Sequence, residues 1–253
     1  ELEFYFIDDK SKNYPVKLIK LETEEGKIWN RKVTDIYYYD MQIDISRIKW
    51  IEVRAVFQGE FCFTPQIVCG KFSKFYNKEM ESDYFVQENY LLTKDLYRIH
   101  IQECNKALVR KQEKYFCEEL NNLEIDDETK KEILWYRKKY FMTRKFHRKE
   151  IWLISDRINV AGDNGEAFFR YLAKKRPSDV DFYFVISDKS KDYTRIRKIG
   201  KVIPYGSKKC KLYTLLADKI ISSQEEDNIV NPFYGMKRYL GNLFHYDYVF
   251  LQH

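Results

Sequence analysis

The feature that most constrains this chain is the alternation of short apolar runs and helix-length segments that begins after Glu150. The apolar runs are 151–154, 182–186, 202–206, 219–223 and 248–252, and the helix-length segments are 166–175 and 210–217. Nearly continuous apolar runs are typical of strands buried on both faces, and intervening helices favour a parallel sheet. We therefore predict a Rossmann-like parallel sheet over residues 151–253, with helices on both faces.

The first hundred residues have a different periodicity. Apolar and polar residues alternate in Ile51–Ala55 and again in Tyr97–Ile101, which indicates strands with one buried face. Gly and Pro residues break such runs at intervals that suit an antiparallel sandwich of about 100 residues. We predict an immunoglobulin-like β-sandwich domain over residues 1–104, so the chain combines an all-β and an α/β domain.

A charged, helix-forming segment without Gly or Pro occupies residues 105–150 and is predicted to be a helical connector. Its last part, residues 135–149, has seven Lys and Arg, five aromatic residues and no acidic residue. This basic aromatic tract is a solvated helix end, a nucleic-acid patch, or a segment that docks on an anionic membrane at about 1 kcal/mol per basic residue. No nucleic-acid-binding module accompanies it, so we expect a membrane surface and no nucleic acid. The residues expected at that surface are Arg137, Lys138, Lys139, Arg144, Lys145, Arg148 and Lys149.

Other functional classes lack their characteristic sequence features. We see no apolar stretch near the roughly 20 residues that cross a bilayer and no export leader, so we expect a cytoplasmic location. The five cysteines contain no CxxC pair, which argues against a disulfide framework and a zinc site. No P-loop or nucleophile elbow is present, so ATP hydrolysis and covalent catalysis have no support. Because the chain stops at His253 directly after an apolar run, we interpret it as a fragment.

Candidate site residues lie where the predicted parallel strands end, because ligands of open α/β sheets bind at the carboxyl ends of the strands. After the first strand, Asp163 and Asn164 stand at the predicted start of a helix, whose free N–H groups attract anions. The spacing Gly162-x-x-Gly165 does not match the dinucleotide fingerprint. The pair therefore either contacts substrate or only caps the helix.

Two further junctions carry polar side chains. Ser222 and Ser223 end the run at 219–223, and they either hold a substrate hydroxyl or phosphate or belong to a solvated loop. His253 follows the last apolar run, where a neutral imidazole can accept a proton near pH 7. A lone histidine at a strand end is more often structural, so sequence alone leaves a catalytic and a structural role open.

The ordered segments 152–172, 183–223, 231–233 and 248–253 resemble the first lobe of the CDP-glycerol glycerophosphotransferases, the teichoic-acid polymerases and related capsule enzymes. Members of this family have a GT-B-like architecture, in which two Rossmann-like lobes face a cleft and the second lobe holds the CDP-activated donor. The resemblance implies that residues 151–253 are the acceptor-side lobe and that the donor lobe lies outside this chain. The fragment alone is therefore expected to be inactive.

The resemblance also implies roles for individual residues. The family's histidine, usually followed by Gly, matches His253 and acts as base on the acceptor hydroxyl. The family's Asp-Asn pair matches Asp163 and Asn164. Many members have Ser before this pair and Pro after it, whereas this chain has Gly162 and Gly165, which leaves the role of the pair open.

The implied reaction transfers glycerol phosphate, or a related polyol phosphate, from a CDP-activated donor to a cell-surface polymer or lipid-linked acceptor and releases CMP. The implied location is the cytoplasmic face of the bacterial plasma membrane. No cofactor site is visible, and a divalent metal that stabilises the pyrophosphate leaving group would be bound by the missing part. The alternatives are a GT-B sugar-nucleotide glycosyltransferase and a non-catalytic module that binds polymer or protein, because a fold does not determine its donor.

Overall fold

The computed structural model describes residues 2–15, 17–28, 31–40, 44–66, 75, 77, 80–224 and 226–252. The chain divides into two compact units, Glu1–Leu123 and Glu124–His253. The division falls inside the predicted connector of residues 105–150, and the two helices of that segment belong to different units.

The first unit is built on antiparallel strands, as its alternating sequence predicts. The strands are β1 Leu2–Asp8, β2 Asn13–Pro15, β3 Lys17–Ile28, β4 Arg31–Asp40, β5 Trp50–Phe57, β6 Glu60–Phe63, β7 Tyr84–Gln87, β8 Tyr90–Lys94 and β9 Arg98–Glu103. A seven-stranded sheet has the order β2-β1-β5-β9-β8-β7 with β6 paired to β5, and β3 pairs with β4. All these pairings are antiparallel, which confirms the coarse prediction, whereas the immunoglobulin-like arrangement stays a prediction.

The two faces of the seven-stranded sheet carry different clusters. One face carries an apolar cluster formed by Ile48, Ile51, Phe75, Leu92 and Ile101. Because successive strand residues point to opposite faces, Glu52 of β5 lies on the face opposite Ile51. There its register partner is Arg98 of β9, so a charged pair occupies the second face.

Helix α1, Lys106–Asn122, belongs to the first unit. It begins after Asn105, whose side chain accepts a hydrogen bond from the Leu108 N–H, as an N-cap does. Phe116 is buried and meets the ring of Tyr84 edge-on at 6.4 Å between centroids. Glu119 accepts hydrogen bonds from the backbone N–H and the hydroxyl of Ser82, which fixes the helix to the segment before β7.

The second unit has the predicted alternation of strands and helices. After α2, Asp127–Phe146, come β10 Glu150–Ser155, α3 Asn164–Lys175, β11 Val180–Ile186, α4 Tyr193–Arg197, β12 Val202–Pro204, α5 Lys208–Leu216, β13 Lys219–Ser222, α6 Asp227–Val230, α7 Lys237–Leu240 and β14 Asp247–Phe250. Every strand pair is parallel, and the order is β12-β11-β10-β13-β14. The predicted parallel sheet is confirmed, and its order is that of the first five strands of the doubly wound 3-2-1-4-5-6 arrangement.

Helices cover both faces of this sheet. Ile154, Phe184 and Ile221 of the strands are buried with Phe169 and Leu172 of α3. Leu153, Tyr183 and Ile220, which point the other way, are buried with Cys210 and Leu216 of α5. Strands enclosed on both faces explain why their sequences read as continuous apolar runs instead of alternating ones.

Helix α2 contains much of the basic aromatic tract and packs against α5 and α7. Arg137, which was predicted to lie at the membrane surface, is fully buried. Its guanidinium donates to the Tyr239 carbonyl at 2.6 Å and to Asn242 Oδ1 at 3.0 Å. Arg137 therefore holds the segment around α7 and is not available to a membrane, so its assignment to that surface was wrong. Among the described residues, no helix has the length and apolarity needed to span a bilayer.

Candidate functional site

The polar side chains of the second unit concentrate at the switch point of its sheet. Strand order reverses between β10 and β13, because β11 and β12 extend the sheet on one side and β13 and β14 on the other. Helices therefore leave the carboxyl ends of β10 and β13 in opposite directions and open a crevice between them. Asp156 follows β10, Ser222 ends β13 and Ser223 follows it, so all three stand at this crevice.

Asp156 is the centre of the cluster and is 1% exposed. Its Oδ2 accepts hydrogen bonds from the N–H groups of Gly162, Asp163 and Glu166 at 3.1–3.2 Å. Its Oδ1 accepts from the Gly165 N–H at 2.8 Å and from the Ser223 hydroxyl at 2.9 Å. Five donors thus satisfy one buried carboxylate, which ties the loop after β10, the start of α3 and the end of β13 together.

This arrangement changes the interpretation of the α3 N-terminus. The N–H groups of Gly165 and Glu166, in the first turn, already bind Asp156 and are not free for a substrate phosphate. Asp163 is the N-cap residue, and its side chain accepts a hydrogen bond from the Asn164 N–H at 2.7 Å. Capping of this helix is therefore divided between Asp163 and the more distant Asp156.

Gly165 is required by the same contact. A Cβ at this position would overlap both Asp156 Oδ1 and the Ser155 carbonyl oxygen, far inside van der Waals distance. Both neighbours are buried and fixed by hydrogen bonds, so neither can move away at low cost. The Gly162-x-x-Gly165 spacing thus reflects the close approach of the helix start to β10. Gly162 differs, because it has a φ of 124°, a region that favours glycine.

Ser222 and Ser223 are buried and hydrogen-bonded inside the unit, and neither lies in a solvated loop. Ser222 Oγ accepts from the Gln224 N–H at 3.0 Å, and Ser223 donates to Asp156 as described. Their exposed fractions are 0% and 2%. The structure therefore places both serines at the switch point, where they position its backbone.

Asn164 connects this cluster to the end of the chain. Its Nδ2 donates to the Gln252 carbonyl oxygen at 2.9 Å, across 88 residues of sequence. The preceding residue, Leu251, donates its N–H to the Ser222 carbonyl at 2.8 Å. The two residues before His253 are thus held between the start of α3 and the end of β13. His253 itself lies outside the described residues.

A charged layer surrounds the cluster. Glu166, 5% exposed, forms ion pairs with Arg170 at 2.7 Å and with Arg195, which also bonds Asp192 at 2.8 Å. Burial alone would raise the pKa of the Glu166 carboxyl, but hydrogen bonds from Arg195 and Arg170 outweigh it and hold the pKa below its usual value. Asp192 accepts from the Ala161 N–H at 3.0 Å, so this layer also braces the loop after β10.

The sequence analysis missed Asp156, although one feature could have indicated it. Asp156 directly follows an apolar strand, and an acidic residue at that place either binds a ligand or caps the next helix. Also missed was Ser155, whose hydroxyl is buried and has no hydrogen-bond partner among the described residues. It faces a cavity of about 10 Å³ between β10 and α5, enough for about one water molecule.

The fold and the cluster define a doubly wound α/β unit whose ligand crevice lies at the carboxyl ends of its strands. Residues 134–253, which contain the whole cluster, match the family described as CDP-Glycerol:Poly(glycerophosphate) glycerophosphotransferase. This is the family that the ordered sequence segments resemble, so the match confirms the resemblance seen in the sequence.

A relative of known role is similar to part of this chain. The minor teichoic acid biosynthesis protein GgaB of Bacillus subtilis (strain 168) is 46% identical over 108 residues. These residues make up 43% of this chain and 12% of GgaB, so the chain spans a small part of that relative's length.

Proposed function

We propose that this chain contributes the acceptor-side lobe of an enzyme that transfers glycerol phosphate, or a related polyol phosphate, from a CDP-activated donor to a teichoic-acid-type polymer or lipid-linked acceptor. The observation that carries the proposal is the fixation of Leu251 and Gln252 at the switch point, inside the family-matched region. A residue that follows this segment starts from a backbone held on two sides. Such preorganisation is what a general base needs.

In this mechanism His253 takes the proton of the acceptor hydroxyl. The acceptor oxygen forms a bond to the β-phosphorus of CDP-glycerol, the pyrophosphate P–O bond breaks, and CMP leaves with the electron pair. The Asp156 cluster does not touch the reacting atoms in this proposal. It positions α3, and through Asn164 it positions the residue before His253. A second, GT-B-type lobe would supply the donor contacts.

The first experiment measures CMP release from CDP-glycerol by the complete protein, with membrane extract as acceptor. We expect His253→Ala to abolish turnover with folding intact. UDP release from a UDP-sugar, without CMP release from CDP-glycerol, would show that the donor is a sugar nucleotide and not a CDP-polyol. Absence of turnover with CDP-glycerol, CDP-ribitol and UDP-sugars would favour a non-catalytic binding module.

A second variant tests the positioning contact. Asn164→Asp replaces the amide donor by a carboxylate, which repels the Gln252 carbonyl oxygen that Nδ2 now binds. We expect kcat to fall by about tenfold, the effect of losing roughly 1.4 kcal/mol of transition-state stabilisation. Asn164→Gln keeps the donor on a longer side chain and should recover part of the loss. Equal turnover in all three proteins would remove Asn164 from the mechanism.

We also propose that the surface at the amino ends of the strands of this unit faces the membrane. Helix α3 returns from the carboxyl end of β10, so its last turn lies at the amino ends of the strands, and the segment 147–149 precedes β10 at the same end. Exposed basic residues of this amino-end surface are Arg144, Lys145, Arg148, Lys149, Lys174, Lys175 and Arg176. Phe146 and Tyr171 are exposed beside them, at 74% and 53%. Exposed acids at this end, such as Glu150, Asp179 and Asp247, reduce the positive charge without cancelling it.

This surface can be tested by sedimentation with vesicles. Lys145→Glu/Lys149→Glu should release the protein from phosphatidylglycerol vesicles, because each basic residue near an anionic surface contributes about 1 kcal/mol. Lys208→Glu/Lys209→Glu is the matched control, since these exposed lysines begin α5 at the opposite end of the sheet. Equal loss in both variants would show that total charge, and not this surface, governs binding.

A further inference from the structure

A groove of about 640 Å³ opens in the first unit, and none of its lining residues belongs to the candidate site. It lies beside the sheet face that carries Glu52 and Arg98 and is lined by the end of β8, the loop 95–97, the start of β9 and the middle of α1. Pockets of 300–1,000 Å³ are the size that holds small ligands.

The floor of the groove is a preorganised charged pair. The Glu52 side chain is 6% exposed, and its two oxygens accept from Arg54 and Arg98 at 2.9 Å each. The Arg98 guanidinium also lies 4.3 Å from the centroid of the Trp50 ring. A guanidinium held by a carboxylate on one side and an aromatic face on another presents its remaining N–H donors in a fixed direction.

Asp95, a hydrogen-bond acceptor on one rim of the groove, is also held in a fixed orientation. Asp95 Oδ1 accepts from the N–H groups of Tyr97 and Arg98 at 2.7 Å. Partial burial acts to raise the pKa of Asp95, but hydrogen bonds from His100 and from these two N–H groups lower it below its usual value. Asp95 is therefore an ionised acceptor at neutral pH, and its side chain stays 53% exposed.

Two tyrosine rings from different elements flank the polar floor. Tyr97 of the loop before β9 is 44% exposed, and Tyr115 of α1 is 45% exposed. Exposed aromatic rings that line a groove offer flat apolar surface at low entropic cost, together with a hydroxyl at the edge.

We propose that this groove binds neutral sugar units of a polymer or glycolipid. A pyranose presents C–H faces that pack on aromatic rings and pairs of hydroxyls that fit a carboxylate and a guanidinium, and the groove offers both kinds of partner. Among the described residues that line it, the carboxylates Glu52, Glu81 and Asp95 stand against Lys94 and Arg98, and Arg54 balances the third charge through its bond to Glu52. A groove without an excess of positive charge has no electrostatic preference for a phosphodiester chain, so the ligand we propose is a neutral glycosyl unit.

The test is isothermal titration calorimetry of the whole chain with maltotriose, chitotriose and galactobiose, and with poly(glycerol phosphate) as the anionic probe. At least one neutral sugar is expected to bind, and Tyr97→Ala and Tyr115→Ala are each expected to weaken that binding about tenfold, as the loss of one aromatic contact does. Tyr171→Ala removes an equally exposed ring of α3 and should leave the affinity unchanged.

Three outcomes would overturn the proposal: no neutral sugar binds, only poly(glycerol phosphate) binds, or both groove variants bind as tightly as the native chain. The measurement requires no turnover, so its failure is distinct from failure of the proposed transferase reaction. Thermal denaturation of each variant checks that the first unit remains folded.

Discussion

Each unit has a buried carboxylate at the centre of a cluster, Asp156 in the second and Glu52 in the first, and the two are satisfied in opposite ways. Asp156 of the second unit is 1% exposed and accepts only from backbone N–H groups and one serine hydroxyl in the contacts described above. Glu52 of the first unit is 5% exposed and accepts from two guanidinium groups. One carboxylate is held mainly by backbone N–H groups and the other by charged side chains.

The difference predicts that Asp156 is needed for the fold, whereas Glu52 mainly affects a partly solvated surface. The backbone donors of Asp156 lie six to ten residues further along the chain, so the carboxylate determines the path of the loop and the start of α3. Arg54 and Arg98, the partners of Glu52, keep side-chain exposures of 38% and 43%, so water can replace part of their interaction. Loss of Asp156 should therefore damage the fold, whereas loss of Glu52 should mainly change a surface.

The largest expected effect is that of Asp156→Asn. An amide has one acceptor oxygen, so either orientation turns an NH₂ group toward buried N–H donors or the Ser223 hydroxyl. Unsatisfied buried donors cost about 1–3 kcal/mol each, so we expect a loss of about 3 kcal/mol or more in unfolding free energy. Chemical denaturation measures it, and hydrogen exchange of α3 amides localises it.

Asp163→Asn is the control for this change. Asp163 accepts from the adjacent Asn164 N–H, and asparagine is as good an N-cap as aspartate. Its cost should stay under about 0.5 kcal/mol. Similar losses in the two variants would mean that Asp156 is an ordinary cap and not the centre of the cluster.

The second effect concerns the space beside Asp156. Gly165→Ala drives a methyl group into Asp156 Oδ1 and the Ser155 carbonyl, and overpacking of this kind costs about 2 kcal/mol. Gly235→Ala is the matched control, because a Cβ at position 235 meets nothing within 4 Å and the φ of Gly235 is not positive. Differential scanning calorimetry should show a lower Tm for the first variant alone. An unchanged Tm would indicate that the α3 start can shift away from β10.

The third effect is smaller and lies in the first unit. Glu52→Gln keeps the shape of the side chain and removes the charge that Arg54 and Arg98 share. Because both arginines remain partly solvated, we expect a loss of about 1 kcal/mol, the upper range for exposed ion pairs. Hydrogen exchange of β5 and β9 amides reports on this unit alone. A loss as large as that of Asp156→Asn would contradict the contrast between the two carboxylates.

Some features of the second unit could be predicted from the sequence alone. The five strands of the second unit followed from continuous apolar runs, which depend on burial on both faces and therefore leave a strong pattern. Helices α3 and α5 were also predicted, whereas the short helices α4, α6 and α7 were not. The junctions at Asp163, Asn164, Ser222 and Ser223 followed from topology, since parallel strands end at one edge.

The hydrogen-bond network of the site could not be predicted from the pattern of apolar residues. Asp156 binds donors on the loop, on α3 and on β13, a combination that only the folded chain brings together. Arg137 was misassigned for a related reason, because a run of basic residues gives no sign of which one turns inward to meet the Tyr239 carbonyl. The break between α1 and α2 at Leu123 was equally hidden in a segment without Gly or Pro.

The smallest predicted effect is the response of the two units to acid. Burial acts to raise the pKa of Glu52, but hydrogen bonds from Arg98 and Arg54 prevail, so its pKa in the folded protein is below the ordinary value of 4.5. A depressed pKa means that the stabilisation is present above the unfolded value and is lost as pH falls through the folded value. The native first unit should therefore lose unfolding free energy below about pH 4.5 by this route, and Glu52→Gln should lose less. Hydrogen exchange of β5 amides between pH 6 and pH 3 compares the two proteins. Parallel pH profiles would mean that the arginines do not stabilise the charged form of Glu52, and the distinction between a carboxylate held by cations and one held by backbone would fail at this site.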